Sequence, residues 1–108
     1  DAPTEILPGV VFDLDNQQIR SRDLIVHLTG TEARLLEALA SRPGACVTKS
    51  RCMMAIYAGR DEPQSKIIDV YICKLRKKME PICDGHGAIE TVWGQGFRLS
   101  RTTPDILA

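Results

Sequence analysis

No run of the chain approaches the roughly 20 consecutive apolar residues that cross a bilayer. Nor does a signal-peptide pattern open it, so neither a membrane partner nor a secretory leader is expected. Net charge is absent too, since 14 lysines and arginines offset 14 aspartates and glutamates. That excludes a chain basic throughout, which would hold nucleic acid by bulk charge. The four cysteines, Cys46, Cys52, Cys73 and Cys83, form neither a CxxC pair nor a Cys/His zinc pattern. They read as reduced thiols with no metal or cofactor, and Cys52 and Cys73 stand where small apolar side chains fit on helices. The two histidines, His27 and His86, lie far apart, and no nucleophile–base spacing or carboxylate pair accompanies them. No catalytic residue is named, and the chain is not read as an enzyme.

What is there suits one folded domain of 108 residues, 44% apolar and 26% charged. The chain opens on Asp1 rather than Met, which reads as a piece of a longer protein. Charge is unevenly spread. Residues 1–63 hold nine acids and seven bases, whereas residues 64–108 hold five acids and seven bases. Such a local basic face steers toward phosphate even in a neutral chain.

Residues 1–9, with two prolines and a glycine, read as a linker. From Val10 to Leu28, alternation of Val10, Phe12 and Leu14 against Val11, Asp13 and Asp15 predicts a small antiparallel sheet of three or more strands. A turn is expected at Asp15-Asn16-Gln17. Thr29 and Glu32 form a capping box ahead of a helix whose Leu35, Leu36 and Leu39 share one face, and Pro43-Gly44 stops it. Val47-Thr48 opens a second helix with Thr48 as N-cap, its apolar members Cys52, Met53, Ile56 and Tyr57, and Gly59 its end. A connection over 58–63 leads to a third helix over 64–79, ended by Pro81. A glycine-rich loop then precedes a hairpin over 89–100, with Gly94 and Gly96 flanking Gln95 at its tip.

The third helix, KIIDVYICKLRKKM from Lys66, carries two stripes. Ile68, Ile72, Leu75 and Met79 make a continuous apolar face that packs on the first helix. Lys66, Ile67, Val70, Tyr71, Lys74, Lys77 and Lys78 make a basic face with apolar and aromatic members. A solvated surface has no use for Ile67, Val70 and Tyr71. In a DNA major groove, lysine reaches guanine O6/N7 and an apolar side chain meets the thymine methyl. Two other readings stand beside this one: a solvated lysine face, and a protein-docking face anchored by Ile67, Val70 and Tyr71. Two helices with a basic second member, followed by a hairpin, make a winged helix-turn-helix.

Three motifs in order, LTGTEARLLEALASRPG, IIDVYICKLRKKMEP and IETVWGQGFRLS, resemble the OmpR/PhoB-type winged-helix domain, the DNA-binding output half of bacterial response regulators. GRDEPQSKIIDVYICKLRKK and the tryptophan of ETVWGQGF bring the likeness nearer to the CtrA-type group of alphaproteobacteria. The resemblance spans about Val10 to Ser100 and implies an α+β fold. A four-stranded N-terminal antiparallel sheet lies on three helices, with a C-terminal hairpin wing. It implies a linker at 1–9, the domain at 10–101 and a tail at 102–108. It further implies a cytoplasmic, two-component transcription regulator of double-stranded DNA, with helix 64–79 in the major groove and wing 89–100 on the adjacent minor groove or backbone. A stand-alone regulator without phosphorylation control is the alternative. The resemblance implies that direct repeats are bound by head-to-tail homodimers of a protein that is monomeric alone. Lys66, Val70, Tyr71 and Lys74 match groove-facing positions, with Ile67 beside them. Arg76 and Lys77 match phosphate contacts, Thr91 and Trp93 match wing contacts, and Lys78 is expected to reach phosphate from its place near the helix end. Asp69 matches an internal structural acid. Arg60, Asp61 and Glu62 lie in the loop that contacts RNA polymerase in the family. Lys74 stands where arginine is common and lacks its two-pronged geometry.

Overall fold

A computed structural model of the chain describes residues 3–7, 9–22, 24–57, 66–82 and 89–99, without the side chains of Lys66 and Ile67. The expected helix end at Gly59, the 58–63 connection, the helix start at Gln64, the glycine-rich loop 83–88 and the tail 102–108 lie outside the described residues.

The N-terminal sheet has four antiparallel strands, β1 (Thr4–Leu7), β2 (Val10–Asp13), β3 (Gln18–Ser21) and β4 (Leu24–His27), in the order β1-β2-β3-β4. Phe12, Ile19 and Val26 align across three of them and turn toward the core. The linker expected at residues 1–9 contains β1. Ile6 is buried there and Leu7 packs on the core, which outweighs the flanking prolines and glycine. The turn after β2 is held by Asp13, whose carboxylate accepts from the Asn16 amide at 3.1 Å and from Asn16 Nδ2 at 2.8 Å. The side-chain bond from Asn16 leads the causes that hold the buried Asp13 carboxyl below its ordinary value.

Helix α1 (Gly30–Ala40) begins with the expected capping box. Thr29 Oγ1 accepts from the Glu32 amide at 3.2 Å, and Glu32 Oε1 accepts from the Thr29 amide at 2.9 Å. Leu35, Leu36 and Leu39 are wholly buried. Val47-Thr48 do not begin the second helix but form a short strand, β5 (Val47–Thr48). Extended backbone there lets them pair with the C-terminal hairpin while Thr48 still caps α2 (Lys49–Tyr57), accepting from the Arg51 amide at 3.2 Å. Helix α3 (Lys66–Met79) follows, then β6 (Ile89–Val92) and β7 (Gly96–Leu99). The second sheet has the order β5-β7-β6, so the wing is anchored through β7 to the segment ahead of α2.

Two glycines shape that wing. Gly94, at φ 78°, occupies the turn closed by the bond from the Gln95 amide to the Val92 carbonyl, where a left-handed residue is needed. Gly96 has a different task. It pairs with Thr48, and a Cβ there would overlap the carbonyl oxygen of Val47.

Glu32 also reaches across the core. Its buried carboxylate accepts from Lys78 Nζ of α3 at 2.6 Å. Burial works to raise its pKa. The bonds from Lys78 and from Thr29 outweigh burial and leave the group below its ordinary value of 4.5. A carboxylate depressed in the native state contributes stability that is complete above its unfolded pKa and is lost as pH falls through the native one. Asp13 acts in the same direction.

Three expectations follow. Gly96→Ala lowers unfolding stability by about 1–3 kcal/mol in urea titration, because backbone rather than a flexible side chain must move. Lys78→Ala costs ~2 kcal/mol, between exposed and buried ion pairs since Lys78 is 35% exposed. The urea midpoint of the wild type is insensitive to this group above pH 4.5 and falls below it, and the fall is smaller in Glu32→Gln.

Candidate nucleic-acid interface

The apolar stripe of α3 decides which side chains remain outside. Ile68, Ile72, Leu75 and Met79 are at most 1% exposed and join the leucines of α1 in one cluster. At about 100° per residue, the opposite side of the helix presents Asp69, Val70, Cys73, Lys74 and Lys77, all exposed. Val70 keeps 51% of its surface in water, which costs free energy in the isolated domain. Tyr71 lies at the border, partly buried against the core, and Lys74 Nζ stands 5.7 Å from its ring centroid. That cation–π contact is worth about 0.5–1 kcal/mol at an exposed site and holds the ammonium over the helix face.

Four expected DNA contacts, then, share this surface: Val70, Tyr71, Lys74 and Lys77. Lys66 and Ile67 belong to the first turn of α3 by backbone, and their side chains fall outside the description. Arg60, Asp61 and Glu62 lie outside it altogether.

Arg76 and Lys78 have other partners. Arg76 Nε donates to the Ile89 carbonyl at 3.0 Å and its Nη2 donates to Thr91 Oγ1 at 2.8 Å. The guanidinium thereby straps α3 to β6, and the Thr91 hydroxyl is engaged in the same strap. Lys78 Nζ is held by Glu32. The physical reason is rotational. Arg76 and Lys78 sit on the two borders of the buried stripe, one toward the wing and one toward α1, where a cation finds protein acceptors before it finds solvent. Asp69, matched to an internal structural partner, pairs with Lys49 within the protein. Its side chain is 58% exposed and meets Lys49 Nζ of α2 only at 3.9 Å. Of the two cysteines expected to fill apolar positions, Cys52 is buried, with its thiol pushed up to about 11 by burial and then by nearby Cys46. Cys73 is exposed on the outer face of α3.

The wing lies along the Arg76 border of α3. Trp93 is 88% exposed at the hairpin tip, two residues beyond the strap on Thr91. Lys49 was not foreseen. It lies at the start of α2 beside the first turn of α3, so the N-terminus of α2 adjoins the α3 face. Its lysine identity alone carried no signal, because that adjacency is set by how the helices cross. Among the described residues, no helix is long and apolar enough to cross a membrane.

Comparison with known proteins agrees with this architecture. The family model described as transcriptional regulatory protein, C terminal, matches residues 22–99. The cell cycle response regulator CtrA of Brucella ovis is 46% identical over 90 residues, which is 83% of this chain and 39% of that protein. The chain thus spans about two fifths of the length of that curated relative. The DNA binding domain of CpxR from E. coli superposes with a TM-score of 0.78 at 28% identity, covering 94% of this chain and 98% of that one. The C-terminal domain of the nisin resistance regulator NsrR gives 0.73 at 27% identity, covering 88% and 95%. With its four-stranded sheet, three described helices and hairpin wing, the chain belongs to the family of transcriptional regulatory protein C-terminal domains, in its OmpR/PhoB-type winged-helix form.

Proposed function

We propose that this domain binds double-stranded DNA sequence-specifically as a transcription regulator, with α3 in the major groove and the wing on the adjacent minor groove or backbone. The observation that carries this is the outward face of α3. There Val70 and Lys74 stand side by side in water, opposite a buried stripe. An apolar group beside a cation on an exposed helix suits thymine methyl and guanine edges. Lys77, one turn beyond Cys73, suits a phosphate. Arg76, Thr91 and Lys78 act on this face indirectly, by fixing the helix and the wing that present it. The relatives named as a response regulator and as a DNA binding domain support the reading.

The same reading makes the domain the output half of a two-component response regulator in the cytoplasm. It binds direct repeats as a head-to-tail pair and meets RNA polymerase through Arg60, Asp61 and Glu62. A chain of zero net charge gains little from long-range attraction, so pairing on DNA is the route to useful affinity.

Selection of bound fragments from a random duplex pool, at two salt concentrations, tests this. Wild type enriches a half-site repeated in one orientation. Lys74→Ala loses about 1–3 kcal/mol of discrimination at one base position. Lys77→Ala weakens all sequences alike and lowers the salt slope by about one unit. Absence of enrichment, together with retention that barely changes with salt, would assign the face to a protein partner instead.

A further inference from the structure

The two long sides of α2 face different neighbours. Lys49, Met53 and Tyr57, at i, i+4 and i+8, lie on the side toward α3, where Lys49 meets Asp69. On that side burial and then the neighbouring Tyr71 push the Tyr57 phenol up. Arg51 and Ala55, also four apart, lie on the other side with Met54. There they line an open groove of about 330 Å³ against Ala38 and Arg42 at the end of α1 and Val47 of β5. A duplex seated on the outward face of α3 leaves this groove free.

The lining is apolar at its floor and basic at its rim. Ala38, Val47 and Ala55 offer aliphatic surface, and Met54 is 72% exposed at the mouth. Methionine is unbranched and polarisable, so it conforms to varied apolar partners. Arg42 and Arg51 stand on the rim, and no acidic side chain is among the lining residues. Among the described residues neither guanidinium lies within 4.0 Å of a carboxylate. Cations left without acids beside an uncovered apolar floor call for an occupant that brings both complements.

We propose that the groove between the end of α1 and the outer side of α2 docks an acidic peptide segment of a protein partner, an apolar side chain entering between Met54 and Ala38 and carboxylates meeting Arg42 and Arg51. This surface is separate from the DNA face, so a regulator bound to its site still presents it.

The test uses the whole 108-residue chain, labelled for amide NMR. It is titrated with a synthetic peptide of about 12 residues, rich in glutamate with two leucines four apart, and with a twin carrying serines instead. The expected result is saturable shifts centred on Ala38, Arg42, Arg51 and Met54 with the leucine peptide. The serine twin and the Arg42→Glu/Arg51→Glu variant each bind about tenfold more weakly. The variant keeps its far-UV circular dichroism and its affinity for duplex DNA. Should the double reversal fail to fold, Met54→Ser, at a side chain largely in solvent, carries the same expectation of weaker peptide binding. Shifts centred on Lys74 and Lys77, equal binding of the twin, or no saturation by about 1 mM would each overturn the proposal. So would duplex DNA shifting the groove residues, which would assign the groove to nucleic acid.

Discussion

Everything outward on α3 depends on the burial of Ile68, Ile72, Leu75 and Met79 against the leucines of α1. Each such side chain contributes about 1.5–3 kcal/mol by leaving water. A rotation of the helix by one residue would expose part of that stripe and bury Lys74 or Asp69 in its place. The hydrophobic effect is non-directional, but a stripe of four side chains on a helix is not. It selects one rotation, and with it the set of side chains that face solvent.

Two polar contacts then act at the edges of the stripe. Lys78 bonds Glu32, which caps α1 with Thr29, so one carboxylate ties the start of α1 to the last turn of α3. Arg76 bonds β6 at two points. These are directional where the apolar contact is not. Between them they hold α3 against the helix behind it and the hairpin beside it. The wing is fixed from its far side as well, since β7 pairs with β5 across a gap that only Gly96 leaves open. Helix and wing therefore behave as one two-part surface whose spacing is set inside the protein rather than by what it binds.

The placement of α2 gives the domain two unlike sides. Toward α3 it contributes Lys49 and two half-buried side chains, Met53 and Tyr57, and toward the end of α1 it leaves Arg51 and Met54 in solvent. A chain with zero net charge can still carry two separated basic patches, because several of its acids are engaged elsewhere. Glu32 and Asp13 are buried in hydrogen bonds, and Glu90 pairs with Arg98 on the wing.

Much of this was legible in the residues. The capping box at Thr29 and Glu32, the leucines of α1, the apolar stripe of α3 and the hairpin around Gly94 are local patterns, each set by neighbours three or four positions away or by a turn's demand for φ > 0. What stayed hidden was everything that depends on another segment. β1 was lost to its prolines because a strand of four residues is stabilised by the partner it pairs with. β5 was absorbed into the helix it precedes for the same reason. Lys74, Lys77, Lys78 and Arg76 look alike in sequence, since a helical wheel places cations by angle but does not say what stands opposite. Sequence by itself determined the helices and which side of α3 is apolar, because those follow from short-range periodicity, while three motifs in order carried the likeness to the family. Only the tertiary structure decided which cations are left for a partner, because Glu32 and the Ile89 carbonyl reach α3 from segments whose distance in the chain no local pattern records.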